Sequence, residues 1–117
     1  MAAGNYDLII EQGATWSFTV QYQTADATNI SLSGYAIRMQ ARQAYTANST
    51  ILDLSTTNGN ITITSAANGT FTLQQTAAQT ANLTPGLYIY DLEIVKPDTT
   101  VDRLIEGDLI VKAEVTR

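Results

Sequence analysis

Apolar and polar residues alternate along most of this chain, which is the pattern of strands with one face in a core and one in water. In "YDLIIEQG", Tyr6, Leu8 and Ile10 share one parity, and Gly13 closes the run. "TWSFTVQYQ" is the cleanest case: Trp16, Phe18, Val20 and Tyr22 alternate with Ser17, Thr19 and Gln21. After the polar loop "TADATN" and a turn at Gly34, "YAIRMQARQ" places Tyr35, Ile37, Met39 and Ala41 inward and Arg38, Gln40 and Arg42 outward. "TILDL" reads as a short strand ended by Asn58-Gly59. "ITIT" and "GTFTLQQ" flank Asn68-Gly69, whose residue types suit a type I′ hairpin turn. "TAAQTAN" alone has helical character and is too short to stand by itself, so it reads as one turn of helix crossing between sheets. In the last stretch, "VDRLIEGDLIVKAEVT", Ile105, Leu109, Val111, Ala113 and Val115 share a parity, and Gly107 suggests a bulge or bend.

These elements make roughly seven to eight short strands with turns between them, the signature of a single all-β, antiparallel sandwich domain with one short helical crossover. The first five residues are read as loose.

The stretch "LTPGLYIYDLEIV" adds detail. A Pro-Gly turn opens into a run in which Tyr88, Tyr90, Leu92 and Ile94 share a parity. A buried tyrosine at the start of a penultimate strand can bond its hydroxyl to backbone just upstream and pin the crossover, as the tyrosine corner of immunoglobulin-like sandwiches does. Leu83, Pro85, Gly86 and Tyr88 fit that corner, with Tyr90 deeper in the core and Trp16 as its large partner.

Composition narrows the chemistry. The chain has 117 residues, enough for one core, and contains neither cysteine nor histidine. Disulfides, thiolate metal sites and Ser-His or Cys-His nucleophile systems are thereby excluded within it. A formal net charge of −5, with 6 Lys and Arg scattered singly, argues against nucleic acid as a partner. The start "MAAGNYDLII" has no basic opening and no long apolar run, so no signal peptide is read there and no membrane partner is expected. The sequons at Asn29, Asn48, Asn60, Asn68 and Asn82 are then incidental to a chain rich in Thr and Asn. Low charge also leaves a surface that packs against neighbours at a small desolvation cost.

Candidate chemistry is sparse. Asp91, Glu93, Glu106 and Asp108 lie on outward parities of strands that could pair, and clustered carboxylates could hold a divalent cation. Their plain alternative is a solvated face with Lys96, Arg103 and Lys112 as counter-charges. No cofactor, phosphate loop or nucleophile elbow is indicated. Arg38 and Arg42 project outward from one strand and Tyr45 follows, a grouping that suits a protein interface.

The residues "YDLIIEQGATWSFTVQYQ", "ISLSGYAIRMQARQ" and "LTPGLYIYDLEIV" resemble small virion proteins of tailed bacteriophages. The form is an "EQGAT-aromatic" start, an "LSGY-x-I-R-M-Q-x-R" strand and a late "Y-x-YDLE" strand. Similar patterns occur in the immunoglobulin-like N-terminal domain of phage baseplate upper proteins. The resemblance implies an immunoglobulin-like sandwich working as a tail or baseplate adaptor in the virion. Its partners would be other virion proteins and copies of itself in a symmetric assembly. It carries no catalytic residues. Baseplate upper proteins continue into long further regions, which this sequence does not include. A capsid decoration protein is the neighbouring expectation, and a carbohydrate- or host-surface-binding module is the expectation from another class. An exposed row of aromatics would favour the last. For assembly, the first strand "YDLIIEQ" and the last "DLIVKAEVT" are the expected sheet edges, with Leu109, Val111 and Val115 as contact candidates.

Overall fold

The computed structural model of the chain describes residues 4–23 and 30–115. The loop "TADATN" lies outside the described residues. The elements run β1 Gly4–Asn5, β2 Leu8–Glu11, β3 Trp16–Gln21, β4 Ala36–Arg42, β5 Leu52–Ser55, β6 Ile61–Ser65, β7 Thr70–Gln75, α1 Ala77–Ala81, β8 Gly86–Val95 and β9 Val101–Lys112. One sheet has the order β1-β9-β8-β4-β5, with β2 also on β9, and the second has the order β3-β7-β6. The two enclose a single apolar core, so the fold is an all-β sandwich.

Alternation sets which face each residue takes. Leu8 and Ile10, Ile37, Met39 and Ala41, Phe71 and Leu73, and Tyr88, Tyr90, Leu92 and Ile94 are all buried. The parity reading fails in informative places. Trp16, Phe18 and Val20 on the edge strand β3 are only half-buried, whereas Leu52 and Leu54 on the edge strand β5 are buried. Phe71, on the central strand beside it, is the large residue at zero exposure. Tyr6 precedes β2 and is 52% exposed, Ala113 is exposed, and Val115 is 93% exposed.

Alternation does not set neighbours, and there the structure corrects the sequence reading. β1 and β2 run parallel to β9, pairing Gly4 with Ile105 and Leu8 with Leu109, while all other pairs are antiparallel. The last strand is therefore interior, held by β8 on one side and β1 and β2 on the other. Leu109 and Val111, proposed as contact residues, are 0% and 3% exposed. Residues 4 and 5, read as loose, form β1.

The turns follow local chemistry. Asn68-Gly69 joins β6 to β7, but only Gly69 has positive φ, so the turn is not type I′. The Gly69 N–H instead closes a β-turn over residues 66–69 on Ala66 O at 3.2 Å. The helix α1 carries the chain from the three-stranded to the six-stranded sheet. A capping box starts it: Thr76 Oγ1 accepts from the Gln79 N–H (3.1 Å) and Gln79 Oε1 accepts from the Thr76 N–H (2.9 Å). Thr80, fully buried, donates to Ala14 O at 2.8 Å and ties the crossover to the turn after β2. The Tyr88 hydroxyl donates to Thr84 O at 2.7 Å and Leu83 is buried; Pro85 and Gly86, read as a turn, instead lead straight into β8, of which Gly86 is the first residue.

Gly107 is not the bulge. The register slips between Leu92 and Glu93, which face Ile105 and Arg103 and leave Leu104 as the extra residue. Gly107 stays in register opposite Tyr90, and a Cβ there would collide with the carbonyl of Tyr6. That carbonyl accepts from the Tyr90 hydroxyl. The glycine is needed so that the N-terminal segment can cross β9 close enough for this bond.

Candidate functional site

The outward residues of the six-stranded sheet form the most differentiated surface. Register places Ile9 beside Ile110 and Ile110 beside Leu87, one row across β2, β9 and β8. The three are 49%, 37% and 65% exposed. Ile89 follows on β8, half-buried between Asp108 and Arg42. None of the described residues covers this aliphatic row, and a cross-strand row of this kind on a water-facing sheet suits contact with another surface.

Beyond the row, the face becomes charged. Arg38 Nε meets Glu93 Oε1 at 2.9 Å, and Arg103 bridges Asp91 at 3.3 Å and Glu93 at 3.9 Å. Glu106 stands directly opposite Asp91 on β9. Burial raises the Asp91 pKa above the usual carboxylate value; Arg103 opposes this, while Glu93 and Glu106 add to it. The network is surface-exposed and contributes at most about 1 kcal/mol per pair. The candidate cation site is not assembled here. Asp91 and Glu93 face arginines, Asp108 sits opposite Ile89, and no three such side chains converge among the described residues. Of the expected counter-charges, Arg103 is engaged here, Lys96 pairs instead with Asp102 at 3.1 Å, and Lys112 is in no ion pair among the described residues.

Compared with protein-family models and with curated protein sequences, the chain matches none of them.

The residues singled out for an interface fare unequally. Arg38 is held by Glu93. Arg42 is turned inward on its own chain, donating to Ala47 O (2.9 Å) and Gln40 Oε1 (3.2 Å). It thus props the loop that carries Tyr45. That tyrosine is 83% exposed and overhangs a depression of about 510 Å³ shared with Asp7, Ile89, Glu106 and Asp108. Ile9, Leu87 and Ile110 were missed. For Ile9 and Ile110 the signal was in the sequence: "LII" at 8–10 and "LIV" at 109–111 are runs of three apolar residues, so in a strand one must face out.

A second feature lies where the segment before β2 meets β3. The Tyr6 and Phe18 rings stack at 5.2 Å and 26°, and Phe18 and Trp16 follow at 6.5 Å and 22°. Tyr6 is therefore an exposed aromatic besides Tyr45, while Phe18 and Trp16 pack partly on the core. No buried side-chain polar atom lacks a hydrogen bond among the described residues. No helix among them is long and apolar enough to cross a membrane.

Proposed function

We propose that this chain is a non-enzymatic structural subunit of a tailed-phage virion, a tail or baseplate adaptor that holds neighbouring subunits. The observation that carries the reading is the uncovered aliphatic row Ile9–Ile110–Leu87. Covering half-exposed side chains of this size contributes roughly 1 kcal/mol each, enough for a contact that repetition in a particle multiplies. The segments that resemble baseplate upper proteins support it, since they form β2, β3, β4 and β8 of the sandwich. Capsid decoration uses the same physics and stands as the alternative location.

The test is incorporation. Particles assembled with wild-type chain should contain it by mass spectrometry, and cryo-electron microscopy should place the outer face of the six-stranded sheet against a neighbour. Leu87→Lys with Ile110→Lys should remove the chain from particles while leaving the isolated domain's melting temperature within a few degrees. Normal incorporation of the double variant refutes the contact. Turnover of a cell-wall polymer that disappears on Asp91→Asn or Glu106→Gln would overturn the non-enzymatic reading.

The Tyr6–Phe18–Trp16 row favours a second reading, a carbohydrate-binding module, because stacked rings at a surface are common sugar platforms. Trp16 is the sole tryptophan, so its fluorescence reports directly on binding. Saturable quenching by oligosaccharides, lost in Tyr6→Ala, would move the assignment to this reading.

A further inference from the structure

Among the described residues the sandwich has four sheet edges, and three are guarded. On β5, the backbone groups that face away from β4 are occupied by one side chain: Asn58 Nδ2 donates to Asp53 O (2.9 Å), and Asn58 Oδ1 accepts from the Ser55 N–H (3.0 Å). On β6, a register shift between Ile63 and Ser65 bends the strand. The N-terminal edge is broken at Tyr6–Asp7 into two short pieces and carries Asp7 and Glu11. Short strands, bulges, charges and covers are the usual means of blocking edge-to-edge pairing.

Among the described residues, 16–20 of the fourth edge, β3, have none of these. Its six residues, WSFTVQ, contain no charge and no proline, and its register with β7 is unbroken from Trp16 to Gln21. Among the described residues, 17–20 make backbone hydrogen bonds to no strand but β7. Its inward row is also unfinished. Trp16, Phe18 and Val20 are half-buried, whereas Phe71 and Leu73 on the adjacent central strand are 0% and 1% exposed.

We infer that β3 is the self-association edge of this protein, pairing antiparallel with β3 of a second copy about a twofold axis. The three-stranded sheets would join into one continuous six-stranded sheet. Charge selects the occupant. Twofold antiparallel pairing sets residue i of one copy against residue j of the other and j against i, all drawn from the same strand, so a strand bearing one sign of charge would meet that same sign. Each copy carries a net charge of −5, which repels a second copy over most of the surface. The strand and the outward face of its sheet, Ser17, Thr19, Gln21, Thr62, Thr72 and Gln74, carry no charge. Two copies therefore approach there with least repulsion, each completing the other's half-covered row. This contact is separate from the aliphatic row of the other sheet.

Sedimentation velocity over a concentration series, with amide hydrogen exchange at each concentration, tests it. The expected result is a monomer–dimer equilibrium in which protection of the amides of 17–20 rises with the dimer. Ser17→Lys, at an exposed position, should weaken dimerisation at least about tenfold without lowering the melting temperature of the dilute monomer. A chain that stays monomeric to millimolar concentration overturns the inference. So does a dimer indifferent to Ser17→Lys but lost in Leu87→Lys, which would assign self-contact to the aliphatic row. Neither outcome bears on whether the chain enters particles.

Discussion

Gly107→Ala should detach the N-terminal segment, and the structure bounds by how much it destabilises. An added Cβ would fall inside the contact distance of the Tyr6 carbonyl and 3.0 Å from Asp7 Oδ1. Backbone cannot yield as a flexible side chain can, so the segment must move away. Three hydrogen bonds then go: Tyr6 N–H to Glu106 O at 3.0 Å, the Tyr90 hydroxyl to Tyr6 O, and Asp108 N–H to Asp7 Oδ1 at 3.0 Å. At about 1 kcal/mol net for each, with roughly 1 kcal/mol for the half-exposed Tyr6 ring, the contacts of residues 6 and 7 contribute about 3–4 kcal/mol, and the pairing of Gly4 and Asn5 with β9 adds to the docking of the segment. The loss cannot exceed that docking, because peeling off the segment relieves the clash entirely, while Leu8 and Ile10 keep β2 in place. The expected loss is therefore about 2–4 kcal/mol, read from urea unfolding followed by Trp16 fluorescence. The decisive measurement is a cycle with Tyr90→Phe. If Gly107→Ala has already broken the Tyr90 bond, Tyr90→Phe should cost almost nothing further in that background, against about 1 kcal/mol alone. Strict additivity, or a loss below about 0.5 kcal/mol for Gly107→Ala, would refute the clamp.

Tyr88→Phe should lower stability by about 1 kcal/mol, since it deletes the 2.7 Å bond to Thr84 O; an unchanged urea midpoint would remove the corner from the account. Burial, then Asp7 and Tyr6, push the Tyr90 phenol above its usual pKa, so the folded state holds a proton that the unfolded state gives up first. The stability associated with this group is intact below pH ~10 and falls above it by up to about 1.4 kcal/mol per pH unit. Urea midpoints measured from neutral to alkaline pH should show that slope, and Tyr90→Phe should flatten it. Glu93→Gln should change stability by at most about 1 kcal/mol, and less in high salt, because the Arg38 and Arg103 pairs are exposed; a loss above about 2 kcal/mol would mean the network is stronger than surface pairs are.

Much of the sandwich was legible because burial on a strand has period two, and a residue's parity is written in its neighbours. Ile37, Met39, Leu92 and Ile94 are core for the reason their alternation gives. The helix at Ala77–Ala81 was legible too, since "TAAQTAN" alone has helical character and is too short for more than one turn. Strand neighbours were not legible. Nothing in "YDLIIEQ" says that it lies parallel to "DLIVKAEVT", because pairing partners are set by three-dimensional closure of the sheet rather than by local pattern. That one fact changes the functional surface. It buries Leu109 and Val111 from both flanks and removes the last strand as an edge. It also aligns Ile9 with Ile110 and Leu87.

The same closure explains Gly107, whose role depends on a carbonyl about a hundred residues away in sequence and could not be read from the run around it. An edge strand has a neighbour on one flank only, and on β2 and β5 the inward residues Leu8, Ile10, Leu52 and Leu54 are buried all the same. β3 has the most regular alternation in the chain, yet it is the strand whose inward residues stay half-exposed. Alternation therefore identifies strands that belong to a core, and the degree to which their inward rows are covered identifies those still waiting for a neighbour. By that criterion the strand that looked most settled in the sequence is the one with most to gain from a second chain.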